Sequence, residues 1–319
     1  MTPLISIIIP CRNEEKYIGK CLDSIIKQDY PKEKMEVLVV DGASEDKTRE
    51  MVEKFKIQNP TFNVRLIDNP NKFTPHGLNI GIKEARGEII IRMDTHADYE
   101  RDYISKCVKY LKEYNADNVG GIIKTLPAKN TLIAKAIAIC LSHPFGAASD
   151  FRLSPTEPKW VDTVFGGCYK REAFEKIGLF NENLIRSQDL EFNLRLKRAG
   201  GKILLAPDII AYYYPQSTLF GFFKHNFEDG VWAILPLKFV KIPFKLRHYL
   251  PLIFVLTLPL SIWPYLLLSL FFSLQIATKE KAFRLFFLMP LVFAVRHFGY
   301  GIGSILGIMK LLFPSKVTS

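Results

Sequence analysis

The chain has 319 residues, long for a single core, and 43 Lys and Arg stand against 32 Asp and Glu for a formal net charge of +11. That length predicts one large domain with an appendage. The charge alone would admit nucleic acid, but many cations flank hydrophobic segments: Lys238, Lys241, Lys245 and Arg247 precede one, and Lys279, Lys281 and Arg284 follow it. That arrangement suits anionic lipid headgroups, and nucleic acid is not an expected partner.

In chain order, Leu4–Ile9 is an apolar, isoleucine-rich run ending at Pro10 and reads as a strand buried on both faces. No basic segment followed by a long apolar run precedes it, so no signal peptide is expected and the N-terminal domain is expected in the cytoplasm. Glu14–Gln28 carries apolar residues at helical spacing (Tyr17, Ile18, Cys21, Leu22, Ile25, Ile26), and Met35–Val40 is the next buried strand. A helix from about Lys47 to Ile57, a strand at Asn63–Ile67, a helix at Pro75–Ala85 and a strand at Glu88–Met93 continue the alternation. Alternating β and α elements with buried strands predict an α/β domain with a mainly parallel sheet covered by helices. Further on, the pattern predicts a strand at Val161–Phe165, helices at Arg171–Ile177 and Asp189–Ala199, and a short strand at Lys202–Ala206. Cys11, Cys21, Cys107, Cys140 and Cys168 are scattered without a CxxC, which argues against zinc and for a reducing compartment.

From Tyr212 to His248 aromatics alternate with charges, a composition that predicts amphipathic helices in a membrane interface; the alternative is an ordinary packed helical subdomain. Tyr249–Ala277 contains no charge and exceeds the roughly 20 residues that span a bilayer, as one kinked span or two half-length helices. Leu285–Met309 is a second candidate, interrupted by Arg296-His297 and containing Gly299, Gly301, Gly303 and Gly307, which permit close helix packing. Arg296-His297 at membrane depth marks a functional site, with snorkelling as the alternative. The expected organisation is therefore a catalytic domain at 1–211, an interfacial segment at 212–248 and a membrane region at 249–319 with two to three helices.

In such sheets ligands gather beyond the carboxyl ends of the strands. Arg12, Asn13 and Glu14 follow the first strand, Asp41 and Ser44 the second, and Asp94 the fourth. Asp41 can accept hydrogen bonds from a nucleobase edge or a ribose; the alternative is a turn and helix cap made by Asp41-Gly42 and Ser44. Met93-Asp94-Thr95-His96-Ala97-Asp98 can grip a divalent cation, Mn2+ or Mg2+, through Asp94 with His96 or Asp98; an acidic loop can also be merely solvated. Asp189 opens a predicted helix with Glu191 two positions on, and can serve as a general base or as a helix cap.

Taken together, ISIIIPCRNEE (residues 5–15), VVDGASEDKT (39–48), MDTHAD (93–98), GGCYKREAFEKIGLF (166–180) and SQDLEFNLRLKRAGGKI (187–203) resemble the inverting family 2 glycosyltransferases, in the family's order. TPHGLNIGIKEARGEIIIRMDTHADY (74–99), VDTVFGGCYKRE (161–172) and HFGYGIGSILG (297–307) are similar to the succinoglycan-type exopolysaccharide transferase branch. The resemblance implies a GT-A-type nucleotide-binding sandwich. It implies that Pro10, Arg12, Glu14, Asp41 and Ser44 line the nucleoside pocket, that Asp94 lies near ribose and metal, and that Asp189 is the catalytic base. It further implies a nucleotide diphosphate sugar donor, a lipid-linked or saccharide acceptor, and a place at the cell's inner membrane with the catalytic domain in the cytoplasm.

Two positions depart from the family pattern. His96 replaces the second Asp of Asp-x-Asp, so His96 or Asp98 stands in as metal ligand, and Gln188 replaces the Glu before the base. The Gln-x-x-Arg-Trp signature of processive synthases is absent, with HNFEDGVW (225–232) in its approximate place, which favours transfer of a single sugar. The alternative is a catalytically degenerate, membrane-bound sugar-binding or scaffold protein. A nucleotidyl transferase would need a glycine-rich loop after the first strand, and a Rossmann dehydrogenase a GxGxxG.

Overall fold

The computed structural model describes residues 2–146, 149–153, 155–238 and 246–313, without the side chain of Arg247. The strands and helices run β1 (Ile5–Cys11), α1 (Ile18–Ile26), β2 (Met35–Asp41), α2 (Thr48–Gln58), β3 (Val64–Asp68), α3 (Thr74–Glu84), β4 (Ile89–Arg92), β5 (Ala97–Tyr99), α4 (Tyr103–Glu113), β6 (Asn118–Thr125) and α5 (Leu132–Ser142). They continue with β7 (Lys159–Trp160), β8 (Cys168–Lys170), α6 (Arg171–Ile177), α7 (Gln188–Arg198), β9 (Ile203–Tyr213), α8 (Leu219–Ile234), α9 (Leu250–Leu256), α10 (Leu258–Lys279) and α11 (Arg284–Leu312). Contacts divide the chain into a sheet unit, 1–124 with 154–213, and a helical unit, 125–153 with 214–319. Residues 125–153 thus group with the C-terminal helices, although they lie inside the 1–211 segment expected to be catalytic.

The sheet unit is built on the strand order β3-β2-β1-β4-β8-β6-β9-β5, with β7 on β9. β3, β2, β1 and β4 are parallel, whereas β8 runs antiparallel to β4 and β5 antiparallel to β9. β2 is buried along its whole length and β1 at every position but Pro10, because both faces of this part of the sheet are covered. α1 buries Ile18, Cys21, Leu22 and Ile25. It begins at Ile18, later than the periodicity at Glu14 suggests: Glu14 and Glu15 lend their backbone N–H groups to the Thr48 and Asp46 side chains.

Two expected strands differ. Val161–Phe165 is not a strand; Val161 and Val164 are apolar because they are buried, and Val164 packs on the backbone of Gly120 in β6. The strand expected at Lys202–Ala206 runs on to Tyr213 through Pro207. The proline falls between the β9 residues that pair β7 (Leu204, Leu205) and those that pair β5 (Ala211, Tyr212, Tyr213), so its missing N–H is tolerated.

In the helical unit, Tyr249–Ala277 resolves into a short α9 and a long α10 that separate at Thr257, with Pro264 inside α10. α10 and α11, of 22 and 29 residues, are long and apolar enough to cross a membrane. α10 exposes Leu260, Trp263, Leu267, Phe271 and Leu274 along one side. The glycines of α11 do bring helices together: a Cβ on Gly303 would lie 2.0 Å from the Phe227 carbonyl oxygen of α8, and one on Gly230 of α8 2.0 Å from that of Tyr300. Arg296 and His297 face partners within the unit and do not snorkel: Arg296 donates to the Gly146 carbonyl and the Asn226 amide oxygen, and His297 pairs with the Phe145 carbonyl at 2.9 Å and the Tyr265 hydroxyl at 3.0 Å. Lys241 and Lys245 lie outside the described residues.

Candidate active site at the carboxyl edge of the parallel strands

Parallel register sets the site. Cys11 of β1 lies beside Asp41 of β2, and Asp41 beside Asp68 of β3, so three strands deliver their following loops to one edge. The two loops after β1 and β2 are laced together. Asn13, held at φ 57°, donates its N–H to Ser44 Oγ at 2.9 Å, while Glu45 donates its own N–H to Asn13 Oδ1 at 2.8 Å. Glu14 N–H reaches Thr48 Oγ1 at 2.7 Å, and the Arg12 guanidinium lies 3.5 Å from Glu45.

Asp41 is fully buried beneath this loop, where it accepts from the Ser44 N–H and hydroxyl and from Arg49 at 2.9 Å. Arg49 also reaches Asp68 at 2.7 Å, and these two hydrogen bonds raise its pKa above the ordinary arginine value. Asp41 therefore fixes the loop's shape, and Arg49, half-exposed, is its open polar group. Burial, reinforced by the Asp41 carboxylate, pushes the neighbouring Cys11 thiol up to about 12.

At the end of β4, Arg92 grips Asp94 with two hydrogen bonds, Nε to Oδ1 at 2.9 Å and Nη2 to Oδ2 at 3.2 Å. The Asp94 N–H donates to the Tyr99 hydroxyl at 2.8 Å. Burial works against the charge on Arg92, yet the carboxylates of Asp94 and Asp189 together hold its pKa above the ordinary value. Asp189, on α7, thus shares the Arg92 neighbourhood with Asp94. The turn that follows in space is shaped by Gly166, at φ 65°, where a Cβ would lie 2.9 Å from the Arg92 carbonyl. Asp189 is half-buried and accepts the Leu190 N–H, a bond that leaves it further lone pairs. Ser187, in the left-handed conformation at φ 59°, turns the chain into α7.

The remaining acidic and imidazole groups are engaged elsewhere. His96 Nε2 lies 2.9 Å from Glu14 Oε1, a hydrogen bond that outweighs burial and raises the His96 pKa. Asp98 pairs with Lys20 at 2.6 Å. Among the described residues no three His, Cys, Asp or Glu side chains form a cage for a metal. A cation carried by a diphosphate needs less, since Mg2+ and Mn2+ keep several waters and bind through one or two carboxylates plus phosphates. Asp94 fits that role: its side chain is 27% exposed and each oxygen has a lone pair beyond the one given to Arg92. Glu14 Oε2, buried with no hydrogen-bond donor among the described residues, is a further unsatisfied oxygen beside His96.

The expected residues of the two loops do come together, and Asp189 falls within electrostatic range of Arg92, which binds Asp94. Sequence reasoning missed Arg92 and Arg49. Arg92 stood in view two positions before Asp94, whereas Arg49 carried no signal beyond its place in the first turn of α2.

This sheet, with its site at the carboxyl edge, defines a GT-A-type α/β fold followed by helices. The model of Glycosyl transferase family 2 matches residues 6–178, and the chain belongs to that family. A relative from Methanococcus voltae, named dolichyl N-acetyl-alpha-D-glucosaminyl phosphate 3-beta-D-2,3-diacetamido-2,3-dideoxy-beta-D-glucuronosyltransferase, is 30% identical over 96% of this chain and 97% of its own. The succinoglycan biosynthesis protein ExoA of Rhizobium meliloti is 27% identical over 75% of this chain and 76% of its own. Among solved structures, the mannosyltransferase PcManGT of Pyrobaculum calidifontis, in complex with GDP-Man and Mn2+, aligns with a TM-score of 0.67 at 20% identity over 99% of this chain and 89% of its own. TarS of S. aureus with UDP aligns at 0.53 and 18% identity over 99% of this chain and 93% of its own. These structural likenesses speak for the fold.

Proposed function

We propose that the protein transfers a single sugar, with inversion, from a nucleoside diphosphate sugar to a lipid-linked acceptor at a membrane, with the sheet unit in the cytoplasm. The observation that carries this reading is the carboxyl edge of the parallel strands, where the laced loops after β1 and β2 and the Asp94 carboxylate gripped by Arg92 stand at the ends of neighbouring strands. In this reading the laced loops bearing Pro10, Arg12, Glu14 and Ser44 receive the nucleoside, and buried Asp41 sets their shape. Asp94 would hold a divalent cation, Mn2+ or Mg2+, and such an ion would supply positive charge against the diphosphate leaving group. His96, hydrogen-bonded to Glu14, and Asp98, paired with Lys20, are the further candidate ligands. Arg92 fixes the position of Asp94 through its two hydrogen bonds. Asp189 accepts the proton of the acceptor hydroxyl as that oxygen attacks the anomeric carbon.

The names of the relatives support the substrates: a dolichyl phosphate-linked sugar as acceptor for one, and complexes with GDP-Man and Mn2+ or UDP for others. The exposed apolar side of α10 supports membrane association. A role in exopolysaccharide or glycoconjugate synthesis accords with both sequence relatives. The test is Asp189→Asn. Transfer is expected to fall about 10²–10⁴-fold while donor affinity stays within a few-fold; a variant that transfers at the wild-type rate removes Asp189 from the base role.

A further inference from the structure

Within the helical unit lies a cavity of about 520 Å³, and we propose that it binds the phosphate-bearing end of a polyisoprenyl lipid, with Arg296 on the phosphate and the apolar wall around the first isoprene units. The inference rests on the lipid-linked acceptor of the reading above and gives that acceptor a place in this chain.

The first observation is a cation without a counter-ion. Arg296 sits mid-way along α11 and lines the cavity. Its Nε and Nη1 donate to neutral oxygens, the Gly146 carbonyl and Asn226 Oδ1. Among the described residues no carboxylate lies within 4.0 Å of it, and nothing takes its Nη2. A guanidinium does not shed its proton, so a cation held by neutral partners in apolar surroundings gains from an anion. A phosphate oxygen on Nη2 supplies one through a charge-assisted hydrogen bond. His297 beside it has both ring nitrogens engaged, by Phe145 and Tyr265, and so props the 143–146 turn that forms one wall.

The second observation is the wall. Leu250, Phe254, Tyr265 and Leu268 line the cavity, and Leu250 and Leu268 are at the same time 54% and 48% exposed. They connect the cavity with the apolar side that α9 and α10 expose, where Leu260 and Leu267 are 82% and 70% accessible. A hydrocarbon chain can therefore pass from the headgroup site to a bilayer without crossing water. Free phosphate would use Arg296 and gain nothing from that wall, so the combination specifies an anionic head on an apolar chain. The volume lies in the range of small-molecule sites, roughly 300–1,000 Å³.

The test titrates the full-length protein in mild detergent with geranylgeranyl phosphate, and separately with geranylgeraniol and inorganic phosphate. The lipid phosphate is expected to bind at least about tenfold more tightly than the alcohol, with millimolar phosphate failing to displace it. Arg296→Gln is expected to weaken it by at least about tenfold. Leu268→Trp, which fills the wall and spares Arg296, should do the same while hydrolysis of the nucleotide sugar by the sheet unit is unchanged. Should Arg296→Gln fail to fold, Leu268→Trp decides alone. Wild-type affinity in the folded variants, or full competition by inorganic phosphate, overturns the proposal. A protein that hydrolyses no nucleotide sugar yet shows these losses keeps the lipid site and loses the glycosyltransferase reading.

Discussion

Asp189 and Glu191 stand two positions apart in the first turn of α7, and their surroundings give them opposite roles. The Glu191 side chain is 4% exposed and takes both bonds of an Arg195 fork, at 2.6 and 3.0 Å, while Arg195 also donates to the carbonyls of Ile177 and Leu179. Removing one partner of such a buried pair leaves the other charge uncompensated, at a cost of about 3–5 kcal/mol. Glu191→Gln should therefore lower the denaturation midpoint sharply, whereas Asp189→Asn should leave it near wild type and affect transfer; equal midpoints for the two would show that Glu191 is not structural. A second expectation concerns Cys11. Burial and then Asp41 push its thiol up to about 12, and the four other cysteines are buried with it. Since the thiolate is the reactive form, an aromatic disulfide reagent at pH 8 should modify no cysteine until denaturant is added, and rapid modification of the native protein would contradict the buried edge described here. At this scale Asp41, Asp94 and Asp189 were legible as candidates from their places after buried strands and at a helix start, where turn and cap roles compete with chemistry. Their partners were not: Lys20 captures Asp98 from 78 residues away and Arg49 bridges Asp41 to Asp68, and only strand register creates those meetings.

Elements are specified by periodicity only where burial and hydrogen bonding coincide. β1, β2 and β4 are apolar stretches and were plain in the sequence, whereas Val161–Phe165, with Asp162 and Thr163 inside it, buries Val161 and Val164 without forming a strand. The strand expected to end at Ala206 continues through Pro207 to Tyr213, because a proline is tolerated where a strand changes partners. The helix pair α8 and α11 shows the reverse, since glycines, poor helix formers, mark the contact. Gly230 and Gly303 each admit the opposing backbone to a distance that no Cβ tolerates. Gly303→Val should therefore abolish the α8–α11 contact, seen as loss of a thermal transition in detergent or as new proteolysis within α8. Ile302→Ala, at a position 40% exposed on the same helix, serves as the control and should keep the wild-type transition. A Gly303→Val protein as stable as that control would show that the helices are not in backbone contact.

At the scale of the whole molecule, hydropathy and connectivity describe different boundaries. Composition separates a mixed region from an apolar one and draws the line near residue 211, because it reads each segment by its own residues. It cannot register that the chain leaves the sheet unit after β6, contributes α5 to the helical unit, and returns after Leu153. α5 buries Ala136, Ile137, Cys140 and Leu141, and this cluster includes Leu285, Met289, Val292 and Phe293 of α11 and Phe222 of α8. Fully buried side chains of that kind are each worth about 1.5–3 kcal/mol when removed from water. A chain ended at His248 keeps α5 and α8 but loses α9, α10 and α11, so those buried faces have nothing to cover them. It should aggregate or require detergent, as read by light scattering and gel filtration. Replacing residues 125–153 with a short Gly/Ser linker and ending the chain at Tyr213 removes both halves of the helical unit. That protein should be monomeric without detergent and should still bind a nucleoside diphosphate sugar in a thermal-shift titration, because Arg12, Glu14, Ser44, Arg92, Asp94 and Asp189 all lie in the sheet unit. If the chain ended at His248 is instead a soluble monomer, α5 does not depend on α11, and the division into these two units is wrong.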